Sequence, residues 1–299
     1  MSQNRMENVV IFSPTQHSML YSLSQSLNAE VGETEYRLFP DGESYLRVLS
    51  EVKGKQCAIL VDLTYPDTKF LPLIFLADTL KDIGATSVGL IAPYLSYMRQ
   101  DKRFNSGEAV TSSIFARSIS LHFDWLVTVD PHLHRYDSLD EIYDIPTSVV
   151  QAAPAIAKWV ELQPEALLVG PDSESEQWVA EIAKYSKHDY IIGEKNRKGD
   201  RQVKVTLAGL DCSPDTKVII IDDVISSGHT VLQCFNELKQ RGMQNISCAT
   251  VHGVFADESD SMLIMSGISE IVSCNTVAHH SNQIDVTPFV TEAVLTHLR

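Results

Sequence analysis

Short, nearly continuous apolar runs set the limits on what this chain can fold into. VVIF (Val9–Phe12), CAILVDL (Cys57–Leu63), SVGLIA (Ser87–Ala92), WLVTVD (Trp125–Asp130), ALLVG (Ala166–Gly170) and KVIIID (Lys217–Asp222) are each bounded by polar residues. None shows the apolar–polar alternation of a strand with one wet face, so each reads as a strand buried on both faces. Amphipathic stretches with helical periodicity, such as KFLPLIFLADTLKDIG and GHTVLQCFNELKQRG, lie between them. Strand and helix in alternation predict an α/β fold with mainly parallel sheets and right-handed crossovers.

A chain of 299 residues exceeds what one core commonly serves, about 250 residues, and predicts two domains. An internal similarity supports the division. LKDIGATSVGLIAP (Leu80–Pro93) resembles LKQRGMQNISCATVHG (Leu238–Gly253), and each copy follows a strand and a helix. Gly84 and Gly242 fall at the helix ends, where a left-handed C-cap favours glycine. The spacing implies two similar α/β domains, residues 1–148 and 149–299, although generic α/β units can match by chance. A formal net charge of -15 argues against a nucleic-acid partner. It does not argue against anionic metabolites, which a local cluster of donors can hold. Cys57, Cys212, Cys234, Cys248 and Cys274 form no Cys-x-x-Cys pair and read as reduced core thiols. No apolar run approaches the ~20 residues of a membrane span, and the N-terminal residues lack a secretory pattern. A cytoplasmic protein without membrane partners is expected.

The segment VIIIDDVISSGHT (Val218–Thr230) carries the strongest chemical signal. A buried strand runs into Asp222 and Asp223 at its carboxyl end, where α/β sheets place ligands. Ser226, Ser227, Gly228, His229 and Thr230 then form a small, hydroxyl-rich turn that opens a helix. Backbone N–H groups, hydroxyls and a helix N-terminus converging there make a phosphate cradle. Glycine permits the close backbone approach. Two carboxylates beside a phosphate repel it unless they hold hydroxyls or a cation, and a sugar phosphate satisfies both halves of the motif. The plainer reading is a strand end followed by a capped helix.

This segment resembles the phosphoribosyl-binding signature of phosphoribosyltransferases and ribose-phosphate pyrophosphokinases. The usual pattern has a third acid where Ser226 stands and a second glycine at His229. The serine is similar to the shorter archaeal-type branch of the pyrophosphokinases. Five further segments, in family order, favour the pyrophosphokinases. FPDGESYLRV (Phe39–Val48) is by itself a turn between strands. By resemblance it borders the ATP site of a neighbouring subunit, with Phe39 against adenine and Asp41 and Glu43 accepting its hydrogen bonds. PYLSYMRQDKRFNSGEAVT (Pro93–Thr111) is a basic loop whose arginines suit phosphate, and the resemblance assigns Arg99, Gln100 and Asp101 to ATP. VDPHLHRYDS (Val129–Ser138) resembles the segment that binds metal, with Asp130 and His132 holding magnesium on ATP. Magnesium prefers oxygen and keeps waters, so the resemblance implies that His132 acts partly through water. Asp130, His132 and His134 also have the ligand chemistry of zinc, although no cysteine stands near. Asp172, in LVGPDSESEQWVAEIAK, resembles a ligand of a second magnesium, while Ser173 reads as a plain helix N-cap. Lys195 and Arg197, in the basic excursion GEKNRKGDRQV (Gly193–Val203), match the paired basic residues of a mobile catalytic loop.

The resemblance implies two phosphoribosyltransferase-type domains with mainly parallel sheets and the site in the cleft between them. It implies ATP on the first half and ribose 5-phosphate on Asp222, Asp223 and the Ser226–Thr230 turn. It further implies Mg2+, transfer of diphosphate from ATP, and a homo-oligomer whose ATP site lies at a subunit interface. A base phosphoribosyltransferase fits the Phe39 and Arg99 segments poorly. A non-catalytic regulatory relative need not keep Lys195, Arg197, Asp130, His132 and Asp172. His279 and His280 read as a surface pair and receive no role.

Overall fold

The structure is a computed structural model that describes residues 8–133, 135–198, 202–207 and 213–298, with the backbone alone for 194–198 and 202–207. His134 and Cys212 lie outside the described residues, as do the side chains of Lys195 and Arg197. The chain divides into two compact units, one of Met1–Val150 with Thr287–Arg299 and one of Gln151–Val286.

The first unit begins with β1 (Val9–Phe12), α1 (Leu20–Leu27), β2 (Glu30–Val31), β3 (Thr34–Leu38) and β4 (Ser44–Val48). It continues through β5 (Gln56–Leu60), α2 (Pro66–Asp82), β6 (Ser87–Ala92), α3 (Thr111–His122), β7 (Trp125–Val129) and β8 (Thr147–Val150). Six strands form one parallel sheet in the order β2-β1-β5-β6-β7-β8. β3 and β4 form a separate antiparallel hairpin. The apolar runs pair because segments without a polar face can be buried only under helices. Val10, Ile59, Leu90 and Leu126 pack into one core with Leu73, Leu76 and Leu80 of α2 and Phe115 and Ile119 of α3. Each such fully buried side chain contributes about 1.5–3 kcal/mol.

The second unit contains α4 (Ala153–Glu161), β9 (Ala166–Gly170), α5 (Glu176–Ser186), β10 (Tyr190–Lys198), β11 (Gln202–Leu207) and β12 (Lys217–Ile225). α6 (His229–Gln240), β13 (Ile246–Gly253), α7 (Ser259–Met265), β14 (Ile271–Cys274) and β15 (Asn282–Ile284) follow. Its sheet has the order β11-β10-β9-β12-β13-β14-β15, parallel except for the β10–β11 pair. Val218, Ile220, Ile246 and Cys248 pack against Val231, Phe235 and Leu238 of α6.

Three expectations need correction. The division falls after Val150, and residues 287–299, expected in the second domain, belong to the first unit. There α8 (Thr287–Leu295) packs on α1, β7 and β8 with Val290 and Val294 buried. His297 locks it down, stacking on Trp125 at 5.0 Å and bonding through Nε2 to Ser148 Oγ at 2.8 Å. The basic excursion at 193–203 is mostly β-structure, with Lys195 opposite Val205 and Arg197 opposite Val203. Its second arm, QVKVTL, alternates polar and apolar residues, the period of a strand with one wet face. The strand expected to stop at Asp222 runs on to Ile225, held by β13 along its length. The repeat is borne out in detail: Gly84 and Gly242 follow their helices at φ +102° and +89°, and β6 and β13 come next. The described cysteines are buried and unbridged, and burial pushes the Cys57 thiol up to about 12.

Candidate active site

In the second unit the chain passes from β9 to β10 on one side and later to β12 on the other. Crossovers leaving a strand in opposite directions open a crevice at the carboxyl ends of the strands. Asp172 follows β9, and Asp222 and Asp223 end the apolar part of β12, so three acids flank this crevice. Asp172 is buried; its carboxylate accepts the Glu174 N–H at 3.1 Å, and its carbonyl accepts Ser175 Oγ at 2.6 Å. That fixes Asp172 as the cap of a short turn, a function the sequence pattern assigns to Ser173. Asp222 and Asp223 are half-buried. Asp222 Oδ1 accepts the Asp223 N–H at 3.2 Å, and Asp223 Oδ1 accepts the Val224 N–H at 2.8 Å. Burial first, then the charges of Asp222 and Asp172, push the Cys234 thiol of α6 upward.

The turn after β12 has the form expected of a cradle. Gly228 stands at φ 71°, ψ 0° and caps α6, whose first N–H groups have no partner within the helix. A Cβ on Gly228 would lie 3.3 Å from Leu263 and Met262 of α7. Ser226 is tied from below, its carbonyl accepting Ser259 Oγ at 2.6 Å. The Ile225 carbonyl accepts the Val254 and Phe255 N–H groups, both at 3.0 Å. His229 Nδ1 lies 3.1 Å from the Ser227 carbonyl. Ser227 and His229 are exposed and Thr230 half-buried. The β10–β11 hairpin leaves the sheet beside β9: β10 pairs β9 only at Tyr190–Ile192, and from Gly193 onward it pairs β11. Lys195 and Arg197 thus stand on a hairpin that rises from the strand next to Asp172.

In the first unit Arg99, Gln100 and Asp101 follow β6, and Asp130 and His132 follow its neighbour β7. Asp130 follows β7 with a left-handed backbone, φ 33°, its N–H bonded to the Val150 carbonyl at 2.9 Å, and His132 is half-buried. Arg99 is exposed and Gln100 half-buried, but Asp101 turns inward. Its carboxylate, 1% exposed, accepts two hydrogen bonds from Arg135 Nη1 at 2.7 and 2.9 Å. Arg135, which no sequence motif singles out, also lies over the Phe104 ring at 5.6 Å, with the Lys102 ammonium at 5.1 Å. Arg103 Nε donates to the Glu108 carbonyl, and the Glu108 carboxylate accepts three N–H bonds from Phe104 and Asn105. The basic loop is therefore a closed, hydrogen-bonded turn.

At the end of β5 stands a second feature that pattern reading passes over. Asp62 is buried and accepts Lys69 Nζ at 2.7 Å and the Thr64 hydroxyl. Lys69 also donates to the Asp62 carbonyl and to Thr64 Oγ1, both at 2.9 Å. Burial raises the Asp62 carboxyl, but the Lys69 and Thr64 bonds outweigh it and hold the group below the usual carboxylate range. Phe39, Asp41 and Glu43 cap the β3–β4 hairpin. The turn is closed by Phe39 N–H to the Glu43 carbonyl at 2.7 Å and Glu43 N–H to Asp41 Oδ1 at 3.2 Å. Phe39 is exposed, edge-on to Tyr45, with the Arg37 guanidinium over both rings at 4.6 and 4.3 Å.

Two α/β units with mainly parallel sheets, one carrying an acid pair and a hydroxyl-rich turn at the carboxyl ends of its strands, define a fold of phosphoribosyltransferase type. Comparison with known proteins narrows this. The N-terminal domain of ribose phosphate pyrophosphokinase matches residues 9–121, and the phosphoribosyl transferase domain matches residues 138–286. The ribose-phosphate pyrophosphokinase of Methanopyrus kandleri is 31% identical, the match covering 91% of this chain and 93% of that one. The Methanobrevibacter smithii enzyme of the same name is 29% identical over 93% and 97%. The phosphoribosylpyrophosphate synthetase of Mycobacterium smegmatis shares the fold, with a TM-score of 0.82 and 21% identity over 97% of this chain and 99% of that one. The chain belongs to the ribose-phosphate pyrophosphokinase family.

Proposed function

We propose that this chain transfers the diphosphoryl group of ATP to the anomeric hydroxyl of ribose 5-phosphate, giving phosphoribosyl diphosphate and AMP. The observation that carries this reading is the Asp222–Asp223 pair leading into the Gly228 turn at the sheet's switch point, in a chain of this family. The 5-phosphate would take N–H and hydroxyl bonds from Ser226, Ser227, Gly228, His229 and Thr230, and the ring hydroxyls would bond the two acids. The anomeric oxygen attacks the β-phosphorus and gives up its proton to solvent, the bond from that phosphorus to the α-phosphate oxygen breaks, and AMP leaves with that oxygen and its charge. Lys195 and Arg197 would neutralise charge on the transferring group. Donors aimed at developing charge are each worth about 10²–10³ in rate.

ATP would rest on Arg99, Gln100 and His132 of one chain and on Phe39, Asp41 and Glu43 of another. Asp101, assigned to ATP by resemblance, would instead hold Arg135 and shape the loop around the nucleotide. The exposed apolar groups of the β3–β4 hairpin, Tyr36, Leu38 and Phe39, support a homo-oligomer in which that hairpin meets a neighbour. A cytoplasmic location suits this chemistry, and among the described residues no helix is long and apolar enough to cross a membrane.

The donor chemistry fits magnesium. The carboxylates at the strand ends, Asp130 and Asp172, offer hard oxygen, and Mg2+ commonly takes one or two carboxylates with waters and phosphates. Asp130 and His132 would hold one ion and Asp172 a second, supplying charge neutralisation on the nucleotide phosphates.

The test is AMP and phosphoribosyl diphosphate formation from ATP, ribose 5-phosphate and Mg2+, with a Lys195→Ala/Arg197→Ala control. Product lost by at least about 10³-fold in the double variant is expected. No product from the native chain, with ribose 5-phosphate still binding by calorimetry, would refute the reading in favour of a regulatory relative.

A further inference from the structure

His279 and His280 look like a surface pair in the sequence, yet the structure brings both to one carboxylate. Successive side chains on an extended segment point to opposite sides. Here the two imidazole centres lie 4.0 Å apart. Nε2 of His279 is 3.4 Å from Asp260 Oδ2, and Nε2 of His280 is 3.9 Å from the same oxygen. One donor atom from each of the three residues lies within 4.8 Å of the others, and among the described residues this is the one such cluster of three.

An ion pair explains this arrangement poorly. One protonated histidine would satisfy Asp260, and a second imidazole in contact with the first would repel it when charged. A cation that accepts both lone pairs uses all three groups. The spacing also has the right size. Ligand bonds of about 2.0–2.2 Å at tetrahedral angles set donor atoms about 3.3–3.6 Å apart. The Asp260–His279 separation falls in that range, while His280, 3.9 Å from Asp260 and within 4.8 Å of His279, has to swing inward. Its side chain, 79% exposed, is free to do so.

We infer that Asp260, His279 and His280 form a binding site for a divalent transition metal of the zinc class, with its remaining position open to solvent. Two imidazole nitrogens and one carboxylate oxygen match the sets of two histidines and a carboxylate that zinc takes, and are too nitrogen-rich for magnesium or calcium.

The surroundings of His279 set what metal binding has to change. Its ring packs on Phe255 at 4.4 Å. Nδ1 lies 2.7 Å from Ser281 Oγ and 3.2 Å from the Ser281 N–H. Without metal, Nδ1 accepts from that N–H, and the Nε2 proton faces Asp260. With metal, Nε2 gives its lone pair to the ion, Nδ1–H donates to Ser281 Oγ, and the Ser281 N–H must turn away from the protonated Nδ1. Ser281 then donates to Ser273 Oγ at 2.6 Å, which also accepts Asn282 Nδ2 at 2.9 Å. Metal binding therefore selects the other tautomer, which Ser281 Oγ, as an outer acceptor, would stabilise. Asp260 adjoins Ser259, whose hydroxyl holds the Ser226 carbonyl, so the metal would tie the 279–281 turn to the support of the phosphate turn.

The test uses the full chain, stripped with a chelator and kept in excess Mg2+ so that the oxygen-rich sites are occupied. Zn2+ is titrated by calorimetry, and Co2+ is substituted to read its visible d–d bands. One equivalent of Zn2+ and an intense low-coordinate Co2+ spectrum are expected. His280→Ala, at an exposed position that leaves the fold intact, should weaken Zn2+ at least about tenfold, as should Ser281→Ala. Asp260→Asn should remove the Co2+ bands. Absence of stoichiometric Zn2+ binding in excess Mg2+, or native affinity in both His280→Ala and Asp260→Asn, would overturn the assignment.

Discussion

The left-handed backbone of Gly228 allows a quantitative test of the phosphate turn. At φ 71° an alanine suffers contact between its Cβ and the carbonyl, costing about 1–2 kcal/mol. The new methyl would also lie 3.3 Å from Leu263 Cδ1 and Met262 Cε. Both are ends of flexible side chains and give way cheaply, so the backbone cost dominates. In the free variant the turn relaxes, and ribose 5-phosphate must pull it back. The whole penalty then falls on that substrate, raising its KM about 5- to 30-fold. The assay is the initial rate of AMP formation with ribose 5-phosphate varied at saturating ATP, then the reverse. The KM for ATP should stay within about twofold, since its proposed ligands lie in the other unit. Gly228→Ala/Met262→Ala tests one share of the overlap, because removing Met262 relieves its own contact but neither the Leu263 contact nor the dihedral. A KM for ribose 5-phosphate within about twofold of the native value, or rescue by Met262→Ala, would refute the reasoning.

Three other changes test the first unit. Lys69→Met should destabilise by about 3 kcal/mol, because it leaves the Asp62 carboxylate buried without its cation; urea unfolding at pH 7 measures it, and a loss under about 1 kcal/mol would contradict it. The Asp62 carboxyl is held below its unfolded value of 3.8, so its stabilisation is complete above that pH and fades as pH falls through the folded value. The stability gap between native protein and Asp62→Asn should therefore be constant from about pH 5 to 7 and shrink below about pH 4; a gap that widens in acid would reverse the assignment. Gly89→Ala puts a Cβ 1.9 Å from the Trp125 indole inside the sheet, where nothing flexible can yield. It should cost about 3 kcal/mol or more, seen as a lower urea midpoint.

What could be read in the sequence followed burial. The strands β1, β6 and β9 coincide with apolar runs because a strand covered on both faces has no use for polar side chains. The 226–230 turn was legible because one short segment carries acids, hydroxyls and glycine in order. The β10–β11 hairpin was not, since its polar residues look the same in a loop and in a solvated strand. Asp62–Lys69 and Asp101–Arg135 were hidden for another reason: a charge gives no sign of being buried until its partner is placed beside it. Arg135 stands 34 residues from Asp101, and only the β6–β7 pairing brings them together. Asp260 and the two histidines give no sign of meeting for a related reason: 19 and 20 residues of chain separate them.

The return of residues 287–298 to the first unit makes the second unit an insertion between β8 and α8. Protein synthesis runs from the N-terminus, so α1 waits for a helix made some 260 residues later. The inserted unit, by contrast, has every segment it needs before α8 emerges. A nascent chain halted before Thr287 should thus protect residues 151–286 from protease while leaving β7, β8 and α1 open to it. The half that starts first should be the half that finishes last.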